Sequence, residues 1–191
     1  LPRAPVPTVL SEVGGAWFPS AVLRATELIK EGSFEKLVLS RAFDWRRSEP
    51  FSAYATLHRL RRGNPQCHTF LVDEDEGCLV GSTPETLLSL FDGAVRSESV
   101  AGTTRRGESA SEDASLAEAL LTSEKDLREH SAVTASILRR LRMVGVLAAT
   151  SRNAELLRLG NVMHLRTPIE GTIPADRRFL EVAGELHPTP A

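Results

Sequence analysis

Leu87-Leu88-Ser89-Leu90-Phe91-Asp92-Gly93-Ala94-Val95-Arg96-Ser97-Glu98-Ser99-Val100 is the stretch that decides the fold class. Asp92-Gly93 between two apolar, strand-prone runs is a strong hairpin signal, because the favoured two-residue turn needs positive φ at both central positions. Just upstream, Thr69-Phe70-Leu71-Val72 and Cys78-Leu79-Val80 flank the acidic turn Asp73-Glu74-Asp75-Glu76-Gly77, which predicts a second hairpin. Helices bracket this antiparallel centre. Ser20 can cap a helix running to Lys30 and closed by Gly32, and Ser52 opens another that Gly63-Asn64-Pro65 stops. Between them, Lys36 to Phe43 has the length and composition of a strand.

Downstream, one long helix is expected from about Ser111 to Val144. It has capping-box spacing at Ser109/Glu112 and Ser115/Glu118, with Leu116, Leu120, Leu127, Val133, Ile137, Leu141 and Val144 on its apolar side. A strand over about Asn161 to Ile169 and a short helix over Asp176 to Gly184 complete the order. This succession argues for an α+β fold, with antiparallel or mixed sheets packed between helices, rather than a parallel doubly wound one. Residues 1–18 are proline-rich and then glycine-rich, and read as a linker or the edge of an excised domain; residues 19–191 read as the domain itself.

Charge and composition exclude several classes. Lysine and arginine number 23 against 25 acidic residues, so a net charge of -2 offers no overall field for nucleic acid or an anionic membrane. The pairs Arg46-Arg47, Arg61-Arg62, Arg105-Arg106 and Arg139-Arg140 are too far apart in sequence to form one basic tract. No apolar run reaches the roughly 20 residues that span a bilayer. Cys67 and Cys78 lack metal-ligand spacing and read as reduced thiols, which points to a cytoplasmic location. The chain begins at Leu1 and stops at the stiff turn Leu186-His187-Pro188-Thr189-Pro190-Ala191, so the expectation is a piece of a longer protein.

Five segments place polar residues where a plain strand or helix does not need them. Lys36 heads an apolar strand, where a solvated edge charge and a desolvated base are both available readings. In Gly81-Ser82-Thr83-Pro84-Glu85, proline stiffens the backbone beside a carboxyl that could serve as a general acid. Ala101-Gly102-Thr103-Thr104-Arg105-Arg106-Gly107 reads as a loop leaving a strand, with glycine for close approach and N–H and hydroxyl groups suited to a carboxylate. Asp126, Glu129 and Val133 share a helical face, so two carboxylates could hold a hard divalent cation. His164 lies inside the apolar strand Val162-Met163-His164-Leu165. Taken singly, each segment has an ordinary structural reading.

Their order changes that. Lys36-Leu-Val-Leu-Ser-Arg41, Gly81-Ser-Thr-Pro-Glu85, Ala101-Gly-Thr-Thr-Arg-Arg-Gly107, Lys125-Asp-Leu-Arg-Glu-His130, His164-Leu165 with Gly171, and Leu186-His-Pro-Thr-Pro-Ala191 together resemble the chorismate-binding enzymes. That family comprises isochorismate, salicylate and aminodeoxychorismate synthases and the large subunit of anthranilate synthase. The resemblance implies a small-molecule substrate, chorismate, and a Mg²⁺ ion. It implies attack of a nucleophile at C2 of the substrate ring while the C4 hydroxyl leaves. Lys36 matches the base that activates water and Glu85 the acid that protonates the departing oxygen. Glu129 matches a direct Mg²⁺ ligand and Asp126 a water-mediated one. Gly102, Thr103 and His164 match positions that orient the substrate, and Thr189 and Ala191 belong to its pocket wall.

Lysine at position 36 looks like the water-using branch, so the resemblance favours an isochorismate synthase serving menaquinone or a catechol siderophore. Salicylate synthases share the same base and acid, and the aminodeoxychorismate and anthranilate branches stay open, as does a non-catalytic remnant. The family pattern continues with further strands and a helix bearing two more glutamates and a lysine. Without them the piece is expected to bind Mg²⁺ weakly, to be inactive alone, and to be marginally stable or self-associate through exposed edges.

Overall fold

The computed structural model describes residues 8–13, 16–34, 37–46, 50–150 and 153–188. The chain divides into two units, Leu1–Ala53 and Tyr54–Ala191. In the first, β1 (Thr8–Val13) pairs antiparallel with β2 (Ala42–Arg46), with a register shift between Val9 and Ser11. α1 (Trp17–Lys30) lies between them in sequence. It starts three residues before the expected Ser20, and its N-cap, Ala16, contributes no side-chain hydrogen bond. Its end is as the glycine signals: Gly32 sits at φ 78°, its N–H reaches Ile29 O at 3.0 Å, and Ser33 N–H reaches Leu28 O at 2.9 Å. The Arg41 guanidinium stacks 5.1 Å from the Phe18 ring and 4.5 Å from the Phe43 ring. The strand expected from Lys36 begins only at Ala42, with 37–41 outside regular structure.

The second unit opens with α2 (Ala53–Gly63), whose first residue closes the first unit. β3 (His68–Glu74) and β4 (Gly77–Thr83) form the first expected hairpin. β5 (Ser89–Phe91) and β6 (Ala94–Arg105) form the second, with Asp92 at φ 47° and Gly93 at φ 76°, the positive angles that its turn demands. β6 then runs beside β9 (Val162–Thr172) over almost its whole length. The opposite edge of β9 carries β7 (Leu147–Ala149) and β8 (Glu155–Arg158), two short strands that sequence periodicity does not reveal. Every strand pairing among the described residues is antiparallel, so the α+β class holds.

The expected single helix is two. α3 (Ala110–Thr122) and α4 (Glu124–Met143) meet at Ser123, whose extended backbone (φ -68°, ψ 109°) ends one and caps the next. Ser109 caps α3 as expected, whereas Ser115 lies inside the helix and caps nothing. α5 (Phe179–Leu186) closes the described fold. No helix among the described residues is long and apolar enough to cross a membrane, and Cys67 and Cys78 are free thiols.

Alternation on β9 explains the layering. Met163, Leu165, Thr167 and Ile169 are buried, while His164, Arg166 and Pro168 between them are only partly covered. On the buried side, Val133, Ile137 and Leu141, spaced one helical turn apart on α4, pack with Val95, Ala101 and Ile169 of the sheet and Val182 and Leu186 of α5. Ala117 and Leu120 of α3 pack on Met163 and Leu165. Each fully buried aliphatic side chain in these clusters contributes about 1.5–3 kcal/mol. The buried polar side chains among the described residues are Ser97, Ser99, His130, Ser136 and Thr167, and His130 bridges α4 to the sheet. Buried His130 on α4 places Nδ1 3.2 Å from Ala101 O and Nε2 2.7 Å from Thr167 Oγ1. A carbonyl only accepts, so Nδ1 carries the proton and Nε2 accepts from the threonine hydroxyl.

Burial pushes the His130 pKa down, against the raising effect of the Ala101 hydrogen bond. The folded state therefore holds the neutral ring that the unfolded state protonates. The stability this contributes is full above the unfolded histidine pKa of about 6.5 and is lost as pH falls below it. Urea unfolding at pH 7.5 and 5.5 should show lower stability in acid, and His130→Gln should shrink that difference. At pH 7.5, His130→Leu should cost about 1–3 kcal/mol by leaving a carbonyl and a hydroxyl buried without partners. An unaltered pH dependence in His130→Gln would count against this bridge.

Candidate active site

Glu85 sits on the short segment between β4 and β5, and three hydrogen bonds hold that segment in place. The Glu85 N–H donates to Thr83 Oγ1 at 3.2 Å, the Thr86 N–H to Glu98 Oε1 at 2.9 Å, and Ser97 Oγ to Leu87 O at 2.8 Å. Pro84 adds a fixed φ just before the carboxyl. A cavity of about 250 Å³ opens here, lined by Glu85, Glu98, Ser97 and Ile137, with Leu186 and His187 arriving from the end of α5. Glu85 keeps an exposed side, yet enough protein surrounds its carboxyl that desolvation, then repulsion from Glu98, push its pKa up.

The second group is built on a bulge. Ala101 opposes Leu165 and Thr103 opposes His164, so Gly102 is an extra residue in β6. The stretch expected to leave the sheet at Ala101 stays in it to Arg105. Gly102 sits at φ 81°, and a Cβ there would lie 3.2 Å from Leu165 Cδ1 and 3.3 Å from Asp126 Cβ. The bare backbone thus brings β6 against the first turn of α4. The bulge also aligns Thr103 with His164, and their Oγ1 and Nδ1 atoms are 2.9 Å apart. Desolvation pushes the His164 pKa down, opposed by a hydrogen bond to the Gly102 backbone. At the far end of this stretch Arg106 grips Asp113 twice, at 2.7 and 3.0 Å, and reaches Leu159 O at 2.7 Å. These hydrogen bonds, with that from Gly107 N–H, hold the Asp113 pKa down to about 2.

Asp126 and Glu129 lie on the first turns of α4. Ser123 Oγ accepts the Asp126 N–H at 3.2 Å, and its hydroxyl donates to the Asp126 carboxylate, which fixes that side chain beside the bulge. Glu129 is half-buried. Both offer the hard oxygen donors that Mg²⁺ takes, but among the described residues no three or more His, Cys, Asp or Glu side chains gather into a metal site. The donor set suits the ion in kind and is short of a complete site in number.

Of the residues singled out from sequence, Gly102 and Asp126 meet, Thr103 and His164 meet, and Glu85 shares a cavity with Leu186 and His187 of the closing motif. Lys36, Thr189 and Ala191 lie outside the described residues. Sequence reading missed Glu98, Arg106, His130 and Ser123 as organising residues. For Ser123 a signal exists, since Ser123-Glu124-Lys125-Asp126 has the capping spacing. Glu98 has none, because a glutamate within a strand reads as a solvated charge.

The family model described as chorismate binding enzyme matches residues 4–191. The salicylate biosynthesis isochorismate synthase of Pseudomonas aeruginosa is 32% identical over 167 residues, covering 87% of this chain and 35% of that protein. Isochorismate synthase EntC of Escherichia coli is 34% identical over 175 residues, 91% of this chain and 45% of the relative. The crystal structure of DhbC from Bacillus anthracis superposes with a TM-score of 0.88 at 31% identity, covering 99% of this chain and 52% of that one. The chain therefore spans about half, or less, of the length of each protein it matches.

Gly102→Ala should destabilise the fold by about 1–3 kcal/mol, because alanine must adopt a left-handed angle and press its methyl on Leu165 and Asp126. Denaturant unfolding checks this, and a variant as stable as the parent would show that the bulge tolerates a side chain.

Proposed function

We infer function from membership: this chain belongs to the chorismate-binding enzymes. On that footing, the reading supported best is an isochorismate synthase, and these 191 residues form part of its active site. The observation that carries it is Glu85, fixed by Pro84 and two flanking hydrogen bonds beside a cavity, with its pKa pushed up by desolvation and by Glu98, the direction a general acid needs.

In this reading Glu85 is the general acid. Water adds at C2 of chorismate, Lys36 takes its proton, and the C4 hydroxyl leaves as water with the proton from Glu85. Oxygen and hydrogen balance, so the step is an isomerisation. Thr103 and His164, joined at 2.9 Å, and the N–H groups around the Gly102 bulge orient the substrate. Asp126 and Glu129 would hold Mg²⁺ together with ligands beyond these two. When bound, the ion supplies positive charge against the substrate carboxylate. Relatives named isochorismate synthase support the water-using branch over the amino-transfer one.

The test replaces the 175 matched residues of the E. coli relative with this chain and supplies chorismate and Mg²⁺. Isochorismate should form without pyruvate, and Glu85→Gln should lower kcat about 10²–10⁴-fold. Pyruvate release would move the assignment to the salicylate-forming branch, and turnover that requires ammonia would move it to the amino-transfer branch. The 191 residues alone should turn chorismate over far more slowly than the chimera; an enzyme-like rate from them would overturn the claim that the site is shared with further chain.

A further inference from the structure

A glutamate in mid-strand ordinarily points its charge into water, and Glu98 does not. Its side chain is only 15% exposed, and its two oxygens have separate duties. Oε1 accepts the Thr86 N–H at 2.9 Å, fixing the peptide that follows Glu85. Oε2 lies 3.5 Å from Arg166 Nε on β9. That nitrogen is buried and makes no hydrogen bond, while Arg166 Nη2 pairs with Glu155 Oε1 at 3.1 Å. Arg166 therefore offsets the Glu98 charge without a directed bond to it, and divides its own charge between two carboxylates. Thr86, Ser97 and Glu98 line the cavity that holds Glu85, and they also line a neighbouring cavity of about 500 Å³ with His68, Arg96 and Arg166. The Glu98–Thr86 contact is thus a partition between the two spaces.

We propose that Glu98 is a positioning residue for Glu85: it clamps the backbone beside that carboxyl and keeps a negative charge at the rim of the same cavity. A fixed anion there favours the protonated form of Glu85, which a general acid needs, so this role deepens the reading of Glu85 above and depends on it for its catalytic meaning. The charged and titratable groups lining the two cavities beside Glu85 are Glu98 and Arg96 from β6, His187 from the end of α5, Arg166 and Glu170 from β9, and His68 from β3; α4 presents apolar Ile137. The raised pKa of Glu85, with Glu98 as its second cause, agrees with this arrangement.

Carboxyl-detected NMR titration of Glu85 in the 191-residue chain tests the proposal, in a His187→Asn background that removes the neighbouring imidazole. Glu98→Gln retains an acceptor for the Thr86 N–H and removes the charge. It should lower the Glu85 pKa while the Thr86 amide stays protected from exchange. Glu98→Ala should lower the pKa and also speed exchange at Thr86, whereas Arg166→Met should raise the Glu85 pKa. A Glu85 titration unchanged by Glu98→Gln, or a Thr86 amide still protected in Glu98→Ala, would overturn the proposal. These readouts need no substrate, so they stand if the isochorismate reading fails. In an active chimera, Glu98→Gln should also move the alkaline limb of kcat/KM to lower pH; an unmoved limb beside a shifted Glu85 titration would sink the acid assignment alone.

Discussion

A neutral imidazole sealed between a helix and two strands is the constraint on which the second unit depends. The His130 ring carries its proton on Nδ1 because Ala101 offers only a carbonyl, and its other nitrogen then takes the hydroxyl of Thr167. Hydrophobic contacts are non-directional, so Val133, Ile137 and Leu141 alone would let α4 slide on the sheet. Two hydrogen bonds to adjacent strands remove that freedom. One of them is to the residue immediately before the Gly102 bulge, so the axial position of α4 and the place of the bulge are set together. Asp126, one turn earlier on the helix, is thereby carried to the bare glycine backbone.

Polar and apolar chemistry are separated by the simplest device a strand offers. Alternate residues of β9 go to the helices, and the others, His164, Arg166 and Pro168, go to the opposite face. Glu98, Arg166 and Glu155 form a charge cluster on that face, joined by contacts of 3.5 and 3.1 Å. Partial burial makes such charges stronger than surface pairs, and it also makes an unbalanced one costly. The two-to-one count of carboxylates to guanidinium leaves the cluster negative, close to a carboxyl whose protonation matters to the reading above.

Much of this was legible in the residues. Asp92-Gly93 specifies its turn because few sequences accept two positive φ angles, and the ordered motifs point to the same family that the family model matches. The break at Ser123 was hidden because the apolar spacing Leu116, Leu120, Leu127 continues through it; one extended residue interrupts the backbone without interrupting the pattern. β7 and β8, three and four residues long, are too short for periodicity to register. In sequence the bulge reads as the end of a strand, since glycine followed by threonines is the usual signature of departure rather than of one extra residue. Glu98 was invisible for a different reason: its role comes from Thr86 and Arg166, which only the fold brings to it.

The bulge at Gly102 also works as a parity switch. Before it, the odd-numbered residues Val95, Ser97, Ser99 and Ala101 oppose β9 on the side of the helices. After it, Thr104 takes that side opposite Met163, and Thr103 joins His164 on the other. Were Gly102 drawn into the ladder opposite His164, Thr103 would turn inward opposite Met163 and the two faces would be exchanged for the remainder of the strand; it is the looped-out residue that keeps Thr103 beside His164.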